Sequence, residues 1–157
     1  MIGFWKVNEP NGEFSNWWMC KIDYKGHTFI SSEQAFMWEK AKLFGDENAA
    51  KQILKLTVNS EIKAYGRLIQ NFDQEVWDKN KERLMYDVNL AKFLSDSKLK
   101  EKLLSTGNEL IVECSPLDKI WGIGIGVENA KDDMSNWKGK NLLGRALMAV
   151  RETLRNR

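Results

Sequence analysis

Two ionisable side chains, Glu33 and Lys40, stand seven residues apart in Ser32-Glu-Gln-Ala-Phe-Met-Trp-Glu-Lys-Ala41. On a helix that spacing is two turns, roughly 10 Å, so the carboxylate and the amine share a face with Phe36 and Met37. Charges on an apolar stripe cost free energy unless they are partnered, and perturbed charges of this kind cluster at reactive sites. A desolvated lysine can act as a nucleophile towards a carbonyl or imine carbon, and a shielded carboxylate can move protons. A plainer reading stands beside this one. Glu33 falls in a first helical turn, where the helix dipole favours an acid, and Lys40 can run its stem along the core edge with its ammonium in water. On this pattern Glu39 and Lys42 take the solvent side of the helix.

A second constellation is Ser115-Pro-Leu-Asp-Lys-Ile-Trp-Gly-Ile-Gly124. It offers an acid, Asp118, a flat aromatic surface, Trp121, and glycines that let the backbone approach a ligand. Gly122, Gly124 and Gly126 alternate, which is not the dinucleotide-binding spacing. The competing reading is a glycine-rich turn with Trp121 in the core. Asn141 fits a helix N-cap, Asn16 a turn, and Arg67 either a phosphate contact or a surface ion pair.

The inventory excludes several chemistries. His27 is the sole histidine, and Cys20 and Cys114 are the only cysteines, too few ligands for a structural or catalytic zinc. No GxSxG elbow accompanies His27. The 24 basic residues against 22 acidic give a formal charge of +2, too little for a duplex-DNA or anionic-membrane footprint. Met1–Val7 is too short and mixed for an export signal, and no apolar run reaches membrane-span length. The expectation is a cytoplasmic protein with reduced thiols, no membrane association, no metal and no cofactor.

The elements that must position these residues follow from pattern. Gly3–Val7 alternates as a strand, and Met19–Tyr24 and His27–Ile30 flank Lys25-Gly26 as a hairpin. Ser31 with Gln34 makes a capping box, opening a helix that Gly45 stops. Further helices are expected over Glu47–Lys55, Glu61–Ile69 (capped by Asn59 or Ser60), Gln74–Leu94 (capped by Asp73) and Lys98–Leu104, before Gly107. Glu109–Cys114 reads as a strand and Glu128–Gly139 as a loop. Asn141 opens a last amphipathic helix with Leu143, Ala146, Leu147, Val150 and Leu154 on one stripe. At 157 residues one domain is expected. The fold class is α+β and helix-rich, with a small antiparallel sheet packed on several helices.

Taken in order, five pieces resemble the NADAR/YbiA-like N-glycosidase family. They are Glu13-Phe-Ser-Asn-Trp17, Ser32-Glu33 with Lys40-Ala41, Gly66-Arg67, Asp118-Lys-Ile-Trp-Gly-Ile-Gly124, and Lys138-Gly-Lys-Asn-Leu-Leu-Gly-Arg-Ala-Leu-Met148 running into Arg151-Glu152. The resemblance reaches from about Gly12 to the end. It departs from the family where Gln34 replaces a frequent His, Glu39 a frequent Gln, and Ile123 an acid found in some members.

The resemblance implies a domain over residues 1–157 that hydrolyses the bond between ribose C1 and a nitrogen. The implied substrates are ribosylamino-pyrimidine intermediates of riboflavin synthesis or ADP-ribosylated guanine. It implies Glu33, Lys40 and Asp118 as catalytic residues, and Phe14, Asn16, Arg67, Trp121, Gly122 and Asn141 as substrate-binding ones. Two routes remain open. In one, Glu33 and Asp118 act as the two carboxylates of a glycosidase; in the other, Lys40 intercepts a ring-opened ribosylamine as a Schiff base, with Glu33 assisting and Asp118 orienting. A non-catalytic ADP-ribose-binding module would use the same residues without releasing base, and a Trp-rich interaction domain would leave Glu33 and Lys40 in solvent.

Overall fold

The computed structural model describes all 157 residues as six α-helices, four short strands and one 3-10 turn. The chain divides into two compact units, residues 19–96 and residues 1–18 with 97–157. The helix-rich α+β class expected from the sequence is the class found.

The unit of residues 19–96 is built round α1 (Ser32–Leu43). Strands β2 (Ile22–Tyr24) and β3 (His27–Phe29) form an antiparallel hairpin, turned by Lys25 at φ 48° and Gly26 at φ 79°, the left-handed pair that a two-residue hairpin loop demands. The hairpin packs on α1 and on α4 (Gln74–Ser95), and α2 (Glu47–Lys55) and α3 (Asn59–Gly66) cover the rest of α1. Enclosed in this way, α1 is buried at every position from Ser32 to Glu39. That corrects the expectation of a solvent face there. Glu39 is 4% exposed, accepting hydrogen bonds from the Tyr24 hydroxyl at 2.8 Å and Lys25 Nζ at 3.0 Å. Burial and the Glu39 carboxylate together push the Tyr24 hydroxyl well above its ordinary pKa.

The capping box forms with a variation. Ser31 Oγ accepts from the Gln34 backbone N–H, while Gln34 Oε1 accepts from Ile30 N–H and its Nε2 donates to the carbonyls of Ile53 and Leu56, which end α2. Gln34 therefore fastens the start of one helix to the end of the next. Neither Asn59 nor Ser60 caps α3. The cap position is Val58, with no side-chain bond, because Asn59 Oδ1 instead accepts the Ser31 hydroxyl at 2.6 Å. Asp73 caps α4 as expected, accepting from Glu75 and Val76 N–H.

In the other unit, β1 (Ile2–Phe4) pairs in parallel with β4 (Ile111–Glu113), Ile2 opposite Ile111. The alternation in Gly3–Val7 predicts a strand but not this partner, which is more than a hundred residues away. Helix α6 (Leu142–Arg155) packs on β4, and α5 (Ser97–Leu104) packs on α6. Val112, Cys114 and Ile123 form a small core under Leu110, Ile125 and Trp137. Ile123, where some family members carry an acid, is fully buried in this apolar cluster, and burial pushes the Cys114 thiol up to about 11. No helix is long and apolar enough to cross a membrane.

Candidate active site

Lys40 lies in the last turn of α1 and is half-buried. Nζ donates to the Gly66 carbonyl at 2.9 Å and sits 5.1 Å from the Phe72 ring centroid and 5.4 Å from that of Trp77. Burial lowers the Lys40 pKa, the Glu33 carboxylate raises it, and the Arg67 guanidinium lowers it again. The aromatic faces favour the cation and so oppose the effect of burial. Glu33, in the first turn, is 9% exposed. Three residues expected from sequence, Glu33, Lys40 and Arg67, thus form one electrostatic group. Glu33 is buried and Lys40 half-buried, whereas the interaction-domain reading required both to stand exposed and unpaired.

The backbone makes this lodging possible at Gly66. A Cβ there would lie 2.1 Å from Met37 Sδ, so a larger residue would force the Met37 side chain to move where the last turn of α3 brings its carbonyl against α1. Arg67, the next residue, closes α3 and is exposed. Sequence reasoning missed Phe72 and Trp77. Their signal was present: with Asp73 as N-cap they occupy the N′ and N4 positions of a hydrophobic staple. Phe44, at the end of α1, stacks near both, 5.2 Å from Phe72 and 6.4 Å from Trp77.

The remaining expected residues belong to the other unit. Phe14 is fully buried and edge-stacked on Phe4 at 5.9 Å. Asn16 is 9% exposed and follows the 3-10 turn Gly12–Phe14. Asp118 is partly buried, and its Oδ1 accepts from the N–H groups of Ile120 and Trp121, each at 2.8 Å. Its carboxylate thereby shapes the turn that presents the half-buried Trp121. Gly122 is buried, and a Cβ there would meet the Glu113 carbonyl at 2.9 Å and that of Asp118 at 3.0 Å.

Asn141 is placed at the N-cap of α6, but its side chain makes no cap. The first N–H groups of that helix, on Leu142 and Leu143, are satisfied by the carbonyls of Ile120 and Trp121. This releases the Asn141 amide to clamp β4: Oδ1 accepts from Glu113 N–H at 3.0 Å, and Nδ2 donates to Ile111 C=O at 3.0 Å. Arg151 is likewise committed, donating to Thr106 Oγ1 and the Glu109 carbonyl. No three His, Cys, Asp or Glu side chains converge as metal ligands.

Comparison with known proteins follows the same lines. The NADAR domain family matches residues 3–155. An N-glycosidase of Acanthamoeba polyphaga mimivirus, R617, is 45% identical over 125 residues, covering 79% of this chain and 74% of that one. An N-glycosidase of Nostoc punctiforme is 35% identical over 99% of this chain and 93% of its own length. The NMR structure of the E. coli protein YbiA superposes with a TM-score of 0.81 at 30% identity, covering 99% of this chain and 84% of that one.

Proposed function

The chain belongs to the NADAR domain family and is a hydrolase acting on N-glycosyl bonds, and from that premise we propose that its substrate is a ribose bearing a nitrogen base at C1. The candidates are a ribosylamino-pyrimidine of riboflavin synthesis and an ADP-ribosylated guanine. We take residues 1–157 to act as one domain, a reading supported by the family match over residues 3–155, and we propose that it works in the cytoplasm.

The observation that carries the reading is the lodging of Lys40. Its amine is partly desolvated and coupled to the buried Glu33 carboxylate, with its pKa below the ordinary lysine value. Such an amine spends more of its time neutral at physiological pH and is a better nucleophile for it. A ribosylamine whose sugar ring opens presents C1 as an imine. Neutral Lys40 adds to that carbon, and a proton passes to the departing nitrogen by way of Glu33. The bond from C1 to the base then breaks, leaving C1 joined to Nζ as a Schiff base. Water adds to C1, the amine leaves, and the free sugar closes. Arg67, exposed beside the group, is suited to a substrate phosphate.

Incubation with both substrate classes, scored by chromatography of free base, tests the activity. Borohydride reduction during turnover tests the route. Wild type is expected to yield a sugar adduct at Lys40, and Lys40→Ala to yield none and to lose at least ~100-fold in rate. A Lys40→Ala protein that still releases base at the wild-type rate would reject Lys40 as the nucleophile.

A further inference from the structure

We propose that Phe72 is the stacking surface for the departing base, so that the protein selects substrates whose leaving nitrogen is carried by a planar ring. The inference rests on the Lys40 reading above and extends it to the leaving group.

Phe72 is 44% exposed. Single exposed apolar side chains are ordinary in themselves; what distinguishes this one is its neighbourhood. Its ring centroid lies 5.1 Å from Lys40 Nζ and 5.2 Å from the Phe44 ring. The ring therefore packs near Phe44 and lies close to the amine while part of the residue stays open to solvent. When Nζ bonds to C1, the leaving nitrogen is joined to the same carbon by a second bond of about 1.45 Å, so the base begins only about 2.5 Å from Nζ. A planar base attached there can reach the ~4.5–7 Å centroid range of offset or edge-on aromatic stacking on Phe72. A flexible or non-planar leaving group would gain little from the same surface.

The Asp73 cap and the Phe44 ring supply rigidity. Phe72 immediately precedes the Asp73 cap, whose carboxylate is tied to the first turn of α4, so the ring is anchored at a helix start. A stacking surface fixed before the substrate arrives loses little conformational entropy on binding.

Three proteins, wild type, Phe72→Leu and Phe72→Tyr, test the proposal in two assays. The first is kcat/KM for base release from a ribosylamino-pyrimidine and from ADP-ribosylated guanosine. The second is the borohydride-trapped adduct formed from ribose 5-phosphate alone, a probe that carries no base. Removing one stacking partner weakens binding of a base by ~5- to 150-fold. Phe72→Leu is therefore expected to lower kcat/KM by about 10- to 100-fold while leaving the ribose 5-phosphate adduct at wild-type yield. Phe72→Tyr, which keeps the plane, is expected to stay within about 3-fold of wild type. Wild-type kcat/KM in Phe72→Leu would overturn the proposal. So would a fall in adduct yield matching the fall in kcat/KM, which would mark Phe72 as a positioning residue for Lys40 instead. Wild type that neither releases base nor forms an adduct would be a failure of the Lys40 reading itself. The Leu side chain keeps apolar contact with Phe44, and thermal melting of both variants checks that the fold is retained.

Discussion

Replacing Asn141 by Ala deletes both hydrogen bonds that tie the start of α6 to β4. The site is 2% exposed, so water does not substitute for the amide, and the Glu113 N–H and Ile111 C=O are left unpaired. Each such group costs about 1–3 kcal/mol, giving about 2–6 kcal/mol together. Asn141 also holds φ 56°, a left-handed conformation that costs Ala about 1–2 kcal/mol more. Asn141→Gly loses the same two bonds without that backbone cost, so it is expected to be the more stable of the pair by about 1 kcal/mol. Asn141→Asp keeps the acceptor for Glu113 but places a carboxylate oxygen against the Ile111 carbonyl. It is expected to regain stability as pH falls, because only the protonated acid can donate there. Urea unfolding followed by tryptophan fluorescence, at several pH values, measures all three. An Asn141→Ala protein that unfolds at the wild-type urea concentration yet fails to bind ribosylated substrate would refute the clamp and return Asn141 to a ligand-binding role.

Gly144→Ala would ordinarily stabilise a helix by about 1 kcal/mol. Here its Cβ would sit 2.2 Å from the Ile111 carbonyl and 2.4 Å from Asn141 Nδ2, so a loss of about 1–3 kcal/mol is expected, read as a lower thermal midpoint. The Arg67 guanidinium depresses the Lys40 pKa and the Glu33 carboxylate raises it. Arg67→Ala should therefore shift the acidic limb of kcat/KM to higher pH, and Glu33→Gln should shift it to lower pH; unshifted limbs would mean that Lys40 does not set them. The Asp87 carboxyl is held above its ordinary value by burial and by Glu39, against the pull of Arg83 and Lys25. The folded state thus binds the proton more tightly than the unfolded one, and stability falls as pH rises from the ordinary carboxylate range through the raised value. Asp87→Asn should flatten that slope in urea midpoints.

Local chemistry made much of the fold legible. Ser31, Asp73, the Lys25-Gly26 turn and the stripe through Leu143, Leu147, Val150 and Leu154 each act over a few residues, and each marks an element that is found. The burial of Glu39 was not legible, because a 3.6-residue period assigns a solvent side only to a helix that has one. Helix α1 is covered by the hairpin, α2, α3 and α4, and what covers it is set by chain segments distant in sequence. The same limit applied to Asn141: its residue type suits an N-cap, but the carbonyls of Ile120 and Trp121 had already taken that task.

The candidate site divides in the same way. The sequence by itself determined that a carboxylate and an amine lie two turns apart on one helix, since helical spacing is a property of the backbone alone. Tertiary structure alone decided that the amine meets the Gly66 carbonyl, Phe72 and Trp77. Desolvation, and with it the lowered pKa, depends on what surrounds a group in space, and those surroundings come from residues 26 to 37 positions further along the chain.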